Sequence, residues 1–94
     1  MKSNKLTNQA INNIIGRHVK NVRLSHKKSR NQMGKAININ PRTLEENEKG
    51  KYKFTLERLF FIANSLDICV TELIPAKLKG RINKNNKTNS DKNI

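Results

Sequence analysis

The chain has 94 residues, enough for one modest domain, and 34% of them are hydrophobic, with three Phe, one Tyr and no Trp, so its core must be small and mostly aliphatic. Twenty Lys and Arg against seven Asp and Glu give a formal charge of +13, a self-repulsion that a polyanion relieves, which makes nucleic acid the leading partner and disfavours a membrane, since the basic segments carry few large apolar residues. No run approaches the roughly 18 apolar residues of a spanning helix, the N-terminus leads into no signal-peptide core, and Cys69 is the single cysteine, so a soluble protein of a reducing, cytoplasmic compartment is expected.

Residues 1–10 are expected to form a flexible arm, although residues 8–11 can also lengthen the first helix. In that helix Ile11, Ile15, Val19 and Val22 recur at helical spacing, which gives one apolar stripe for a core and leaves Arg17, Lys20 and Lys27 on the surface. A second helix is predicted over about 30–37, because Ser29-Arg30-Asn31-Gln32 fits a capping box in which the Ser oxygen and the Gln side chain each satisfy a helix-end N–H. Met33, Ala36 and Ile37 form its apolar side.

A third helix is predicted over about 41–48, started by Asn40-Pro41: Asn caps well, and Pro at the first helical position gives up a donor with no helical acceptor. Gly50 follows as a residue able to enter the left-handed region. The fourth helix has Thr55 as cap, a Phe54–Leu59 staple, and Leu56, Leu59, Phe60, Ala63 and Leu66 as its expected inner face, with Asp67 as its stop. A short fifth helix from about Val70 to Ile74 ends at Pro75. Cys69 is expected to fill a small site near its start, and Met33 and Phe60 are read as core.

From Pro75 onward six basic residues face a single acidic one, Asp91, among many Asn, a composition that cannot offset chain entropy by burial. The expected organisation is an arm 1–10, an all-α domain 11–76 and a basic, disordered tail 77–94. Twelve basic against six acidic residues leave residues 15–74 at +6 without either tail.

Two short helices joined by Asn38, Ile39 and Asn40 form a helix-turn-helix layout, since so short a turn forces a sharp crossing. At these residues the span 15–74 resembles the lambda-repressor-like family, also called the Cro or Xre type. The resemblance is carried by Ile15-Gly16, Arg23, Ser29, Met33-Gly34, Ile37-Asn38-Ile39, Thr43-Leu44, Glu48-Lys49-Gly50, Thr55-Leu56-Leu59, Ile62-Ala63-Leu66 and Glu72-Leu73. It implies a five-helix fold and binding to double-stranded DNA as a homodimer, with the third helix in the major groove.

Carried over position by position, the resemblance makes Asn40, Pro41, Arg42, Thr43 and Glu46 groove-facing and turns Leu44 to the core. Arg42 is the leading base reader, because its planar fork matches guanine O6 and N7, whereas Glu45 and Glu46 are repelled by phosphates unless a Glu accepts from cytosine N4. Phosphate contacts are expected from Arg30, Lys35, Lys49, Lys51 and Lys53. Arg23 and Glu48 match a family ion pair that pins the first helix to the end of the third. By the same analogy the dimer surface is formed by Phe61, Ile68, Val70 and Ile74.

The chain departs from the family pattern at four places. Arg30 stands for a Gln that helps hold a phosphate, Gly34 for a small Ala at a helix-propensity cost of up to about 1 kcal/mol, Asn38 for the turn Gly, and Asn47 for an apolar core residue. A buried Asn needs hydrogen-bond partners, or the third helix sits loosely.

Neither metal nor cofactor chemistry is expected: His18 and His26 lie eight apart with Cys69 alone to join them. Catalysis is not expected either. The Ser25-His26-Lys27-Lys28 match to an S-x-x-K motif lacks its partner motifs, and Glu45, Glu46 and Glu48 cannot all face one pocket from a single short helix. The function these residues lead to is a transcriptional regulator, a repressor-type protein associated with the bacterial nucleoid. The alternatives are an antitoxin-like adaptor that binds a protein partner, with DNA binding secondary, and a non-specific nucleic-acid binder.

Overall fold

The computed structural model of the protein describes residues 6–78. Four α-helices, α1 (Asn8–Ser25), α2 (Arg30–Ile37), α3 (Pro41–Glu48) and α4 (Leu56–Leu66), are followed by a 3-10 helix, Val70–Leu73. No strand occurs among the described residues, and none of their helices is long and apolar enough to cross a membrane.

Each of the four α-helices starts where a side chain captures an otherwise unpaired N–H. Ser29 accepts from the Gln32 amide while the Gln32 side chain accepts from the Ser29 amide, so the reciprocal capping box is complete. Asn40 caps α3 with Pro41 at its first position, and Thr55 caps α4. Helix ends are made by left-handed residues: Asn38 after α2 (φ 60°), Gly50 just past α3 (φ 83°) and Asp67 after α4 (φ 59°). Asn and Asp tolerate that region better than most residues, so Asn38 does the work of the expected turn Gly.

The first helix begins earlier than the expected domain start. Thr7 accepts from the Ala10 amide at 3.0 Å and α1 starts at Asn8, so part of the presumed arm is helical. At the other end the domain runs past residue 76: helical backbone resumes at 76–78, and Leu78 is buried. The remainder of the tail, and the first five residues of the arm, lie outside the described residues.

Every helix contributes to one core: Val19 from α1, Met33 from α2, Leu44 from α3, Leu59, Ile62, Ala63 and Leu66 from α4, and Leu73 from the 3-10 helix. Burying an aliphatic side chain of this size stabilises by about 1.5–3 kcal/mol, and with so few of them each matters. The inner face of α4 differs from expectation. Its stripe is Leu59, Ile62, Ala63 and Leu66, whereas Phe60 and Leu56 are 52% and 65% exposed. Ile62 stands two residues on from Phe60, and the α-helical turn carries these to different faces, so only one of them can be core. Cys69 is exposed too, rather than filling a small site.

Gly34 carries a cost in helix propensity that close packing explains. A Cβ built there would lie 2.7 Å from the Ile39 carbonyl oxygen and 3.5 Å from the Pro41 nitrogen. The Gly34 carbonyl meanwhile accepts from the Ile39 amide at 2.8 Å. The end of α2 thus lies directly against the turn that launches α3, with no space for a methyl. Gly34→Ala is expected to lower stability by about 1–3 kcal/mol through overpacking, despite its better helix propensity. Urea unfolding checks this, and an unchanged or raised midpoint would refute the close approach.

Candidate nucleic-acid interface

The turn of residues 38–40 sets α2 and α3 against each other, and α3 presents a sharply divided surface. Leu44, Asn47 and Glu48 are buried, whereas the Arg42 side chain is 82% exposed and Pro41, Thr43, Glu45 and Glu46 are half-buried. Of the expected base readers, Asn40 is exposed but its side chain is engaged, accepting from the Arg42 amide at 2.8 Å. Of the others on α3, Arg42 is the most exposed and Thr43 and Glu46 are half-buried, while Glu45, not expected as a base reader, is more exposed than Glu46.

Those side chains are lightly restrained by one another. Glu46 lies 3.7 Å from both the Arg42 Nε and the Lys51 Nζ, and Glu45 lies 3.0 Å from the Lys49 Nζ. The hydrogen bond and charge of Lys49 hold the Glu45 carboxyl below its ordinary pKa. Exposed pairs of this kind contribute about 0–1 kcal/mol, so phosphates or base edges can displace them at little cost. The acidic residues that conflict with a groove-facing role are therefore matched, carboxylate for cation, by basic residues at the same surface.

Beneath this surface lies a buried charge cluster. Glu48 accepts from Arg23 Nε on Oε2 (2.8 Å), and from Arg23 Nη2 (3.1 Å) and Arg30 Nε (2.9 Å) on Oε1. Arg23 Nη1 also donates to the Lys28 carbonyl at 2.6 Å. The Arg23 and Glu48 side chains are 3% and 1% exposed and that of Arg30 is 31%. One carboxylate at the end of α3 thus ties the last turn of α1 to the first residue of α2. The expected Arg23–Glu48 pair is present, and Arg30, expected only as a phosphate ligand, is its third member.

The expected phosphate residues fall on two sides of α3. Arg30 and Lys49 share a cleft with Arg17, Lys20 and Asn13 over Glu48, while Lys35 borders a second cleft with Asn31, Asn40 and Pro41. Lys51 and Lys53 are exposed on the segment after α3, with Lys51 lying 5.7 Å over the Tyr52 ring. Arg17 and Lys20 were legible only as surface cations, because nothing local in the sequence shows α1 meeting the end of α3. That contact needs Gly16, whose Cβ would collide with the Glu48 carbonyl.

Asn47 is 2% exposed, yet every polar atom of its side chain is paired: Nδ2 donates to the carbonyls of Tyr52 (3.1 Å) and Lys53 (3.2 Å), and Oδ1 accepts from Arg58 Nη1 (3.1 Å). Of the two alternatives for a buried Asn at this position, hydrogen-bond partners or a loosely seated α3, the structure shows the partners. The four expected dimer residues differ in exposure. Phe61 is 53% exposed and borders a groove with Ala36, Ile37 and Ile39, while Ile68, Val70 and Ile74 are half-buried against the core. Among the described residues no group of three or more His, Cys, Asp or Glu is placed to hold a metal ion.

Neither a scan of protein-family models nor a search of curated proteins returns a match to this chain.

Removing one partner of a buried ion pair leaves the other charge uncompensated, so Glu48→Gln is expected to cost about 3–5 kcal/mol. Urea denaturation at neutral pH measures it; a loss below about 1 kcal/mol would show that Arg23 is solvated after all.

Proposed function

We propose that the protein is a sequence-specific, double-stranded DNA-binding transcriptional regulator of the lambda-repressor-like type, acting in the cytoplasm on the nucleoid as a homodimer with α3 in the major groove. The observation that carries this reading is the helix-turn-helix itself. A three-residue turn with a left-handed Asn38 leads into a capped α3 whose most exposed long side chain is Arg42. Exposed cations flank that helix on both sides, and the shared Glu48 carboxylate fixes its angle to α1 and α2.

The chemistry divides by position. Arg42 reads a guanine through its paired donors, and Glu46, one turn further along, accepts from a cytosine N4 amino group. Lys35, Lys49, Lys51, Lys53 and the free edge of Arg30 hold phosphates, which fixes register without reading sequence. Two copies would place their α3 helices about one DNA turn, roughly 34 Å, apart on a pseudopalindromic site. Catalysis and cofactors play no part in this reading.

A second reading, an adaptor that docks a protein partner, is favoured by the exposed Leu56, Phe60 and Phe61 of α4. Apolar groups in such numbers on one helix mark interaction surfaces more often than isolated ones do. Sedimentation of the purified chain with and without a duplex separates the two: a dimer that forms a stoichiometric duplex complex by itself supports the regulator, and a monomer that binds duplex only weakly supports the adaptor.

Selection of duplexes from a random pool at physiological salt tests the main reading. It is expected to enrich a two-fold-symmetric motif, and failure to enrich any motif would refute it. Within that motif Arg42→Ala is expected to relax preference at one position, by about 1–3 kcal/mol of discrimination, whereas Lys51→Ala weakens all sequences alike and lowers the salt slope by about one unit. Equal effects of Arg42→Ala on cognate and random duplexes would remove Arg42 as a reader.

A further inference from the structure

One polar side chain inside the core does something that α3's burial alone does not require. Asn47 lies on the inward face of α3, at 2% exposure, where a similar-sized apolar group would satisfy the packing. Burying an amide is unfavourable unless it is fully hydrogen-bonded, and here all three bonds leave α3. Two go to successive carbonyls, Tyr52 and Lys53, and the third comes from Arg58 on α4.

Both carbonyls belong to the segment that joins α3 to α4, whose Lys51, Tyr52 and Lys53 are exposed. With two consecutive peptide planes turned onto one buried nitrogen, the few backbone torsions between them are fixed, and the directions in which the side chains leave are fixed with them. The upstream end is held as well. The Lys51 amide donates to the Glu46 carbonyl at 3.0 Å, and Gln9 Nε2 on α1 donates to the Gly50 carbonyl at 2.9 Å. An exposed, lysine-rich segment is thereby tethered at both ends from inside the domain.

We infer that Asn47, itself held by Arg58, is a positioning residue for phosphate binding: it presets residues 51–53 so that Lys51 and Lys53 meet the DNA backbone without first ordering the segment. The inference rests on the DNA-binding reading above. Its advantage is entropic, because backbone already ordered in the free protein is not ordered at the expense of affinity. An apolar residue at 47 would fill the core equally well and would offer the two carbonyls no donor.

Asn47→Leu and Asn47→Ala leave net charge unchanged, so a change in salt dependence reads geometry rather than charge. The wild-type chain is titrated first with a duplex over a range of salt, then both variants are titrated, with helix content followed by circular dichroism and amide exchange followed at residues 51–53. The expected result is retained helix content, faster exchange at these amides, and a salt slope about 1–2 units shallower, the equivalent of one or two phosphates, with sequence preference unchanged. If Leu overfills the site and unfolds the chain, Asn47→Ala adds no volume and carries the same comparison. A folded variant with wild-type slope and affinity would overturn the inference. Failure of the wild-type chain to bind any duplex would overturn the DNA-binding reading and this inference together, and is seen before either variant is measured.

Discussion

The Glu48 carboxylate is the point on which the arrangement turns. It sits at the last residue of α3, buried to 1%, and takes three donated hydrogen bonds from Arg23 on α1 and Arg30 on α2. A hydrophobic core of eight small and medium side chains holds the helices together but is a weak guide to their angles, since apolar contact is non-directional. Three bonds to two oxygens are directional. They fix α3 relative to the other two helices, and the glycine contacts of Gly16 and Gly34 bring the backbones close enough for this to happen. The cluster holds two cations and one carboxylate, so it contributes positive charge to the face on which Arg30 remains part-exposed.

Local signals in the sequence were sufficient where the physics is local. Ser29 with Gln32, Asn40 with Pro41, and Thr55 each define a helix start through bonds that span at most three residues, and these starts agree with the structure to the residue. Thr7 carries the same kind of signal, but it is surrounded by polar residues that read as an arm. The side of α4 that faces inward was less legible. Phe60 and Ile62 are both large and apolar, and local periodicity around Leu59 and Ala63 accommodates either, so the choice is made by the shared core, in which Ile62 is buried with Met33 of α2 and Leu73 of the 3-10 helix. Leu78 escaped notice because it follows Pro75 in a segment whose composition is dominated by charge.

The candidate site was legible as a set of positions rather than as a set of contacts. Arg23 and Glu48 are 25 residues apart, and only the resemblance to a known pattern joined them. Arg17 and Lys20 join that region through the packing of α1 on α3, and Arg30 joins it from the start of α2 through its bond to Glu48, contacts for which no neighbouring residue gives a sign. Asn47 shows the limit most clearly: a polar residue in an apolar stripe reads as a defect until the carbonyls of Tyr52 and Lys53 and the guanidinium of Arg58 are placed around it. The acidic residues of α3 behave in the same way. Glu45 and Glu46 oppose a polyanion when counted alone, yet each lies against a cation that a phosphate can engage in its place.

The central claim is that α3 and the segments on either side of it form one DNA-facing surface. Backbone amide shifts, recorded while a duplex is titrated into the full chain at physiological salt, test it most directly. The account predicts that the largest changes fall at Arg30, across residues 40–46 and at residues 49–53, with the outer face of α4 little affected. Changes concentrated instead at Leu56, Phe60 and Phe61, or confined to the terminal segments, would contradict it.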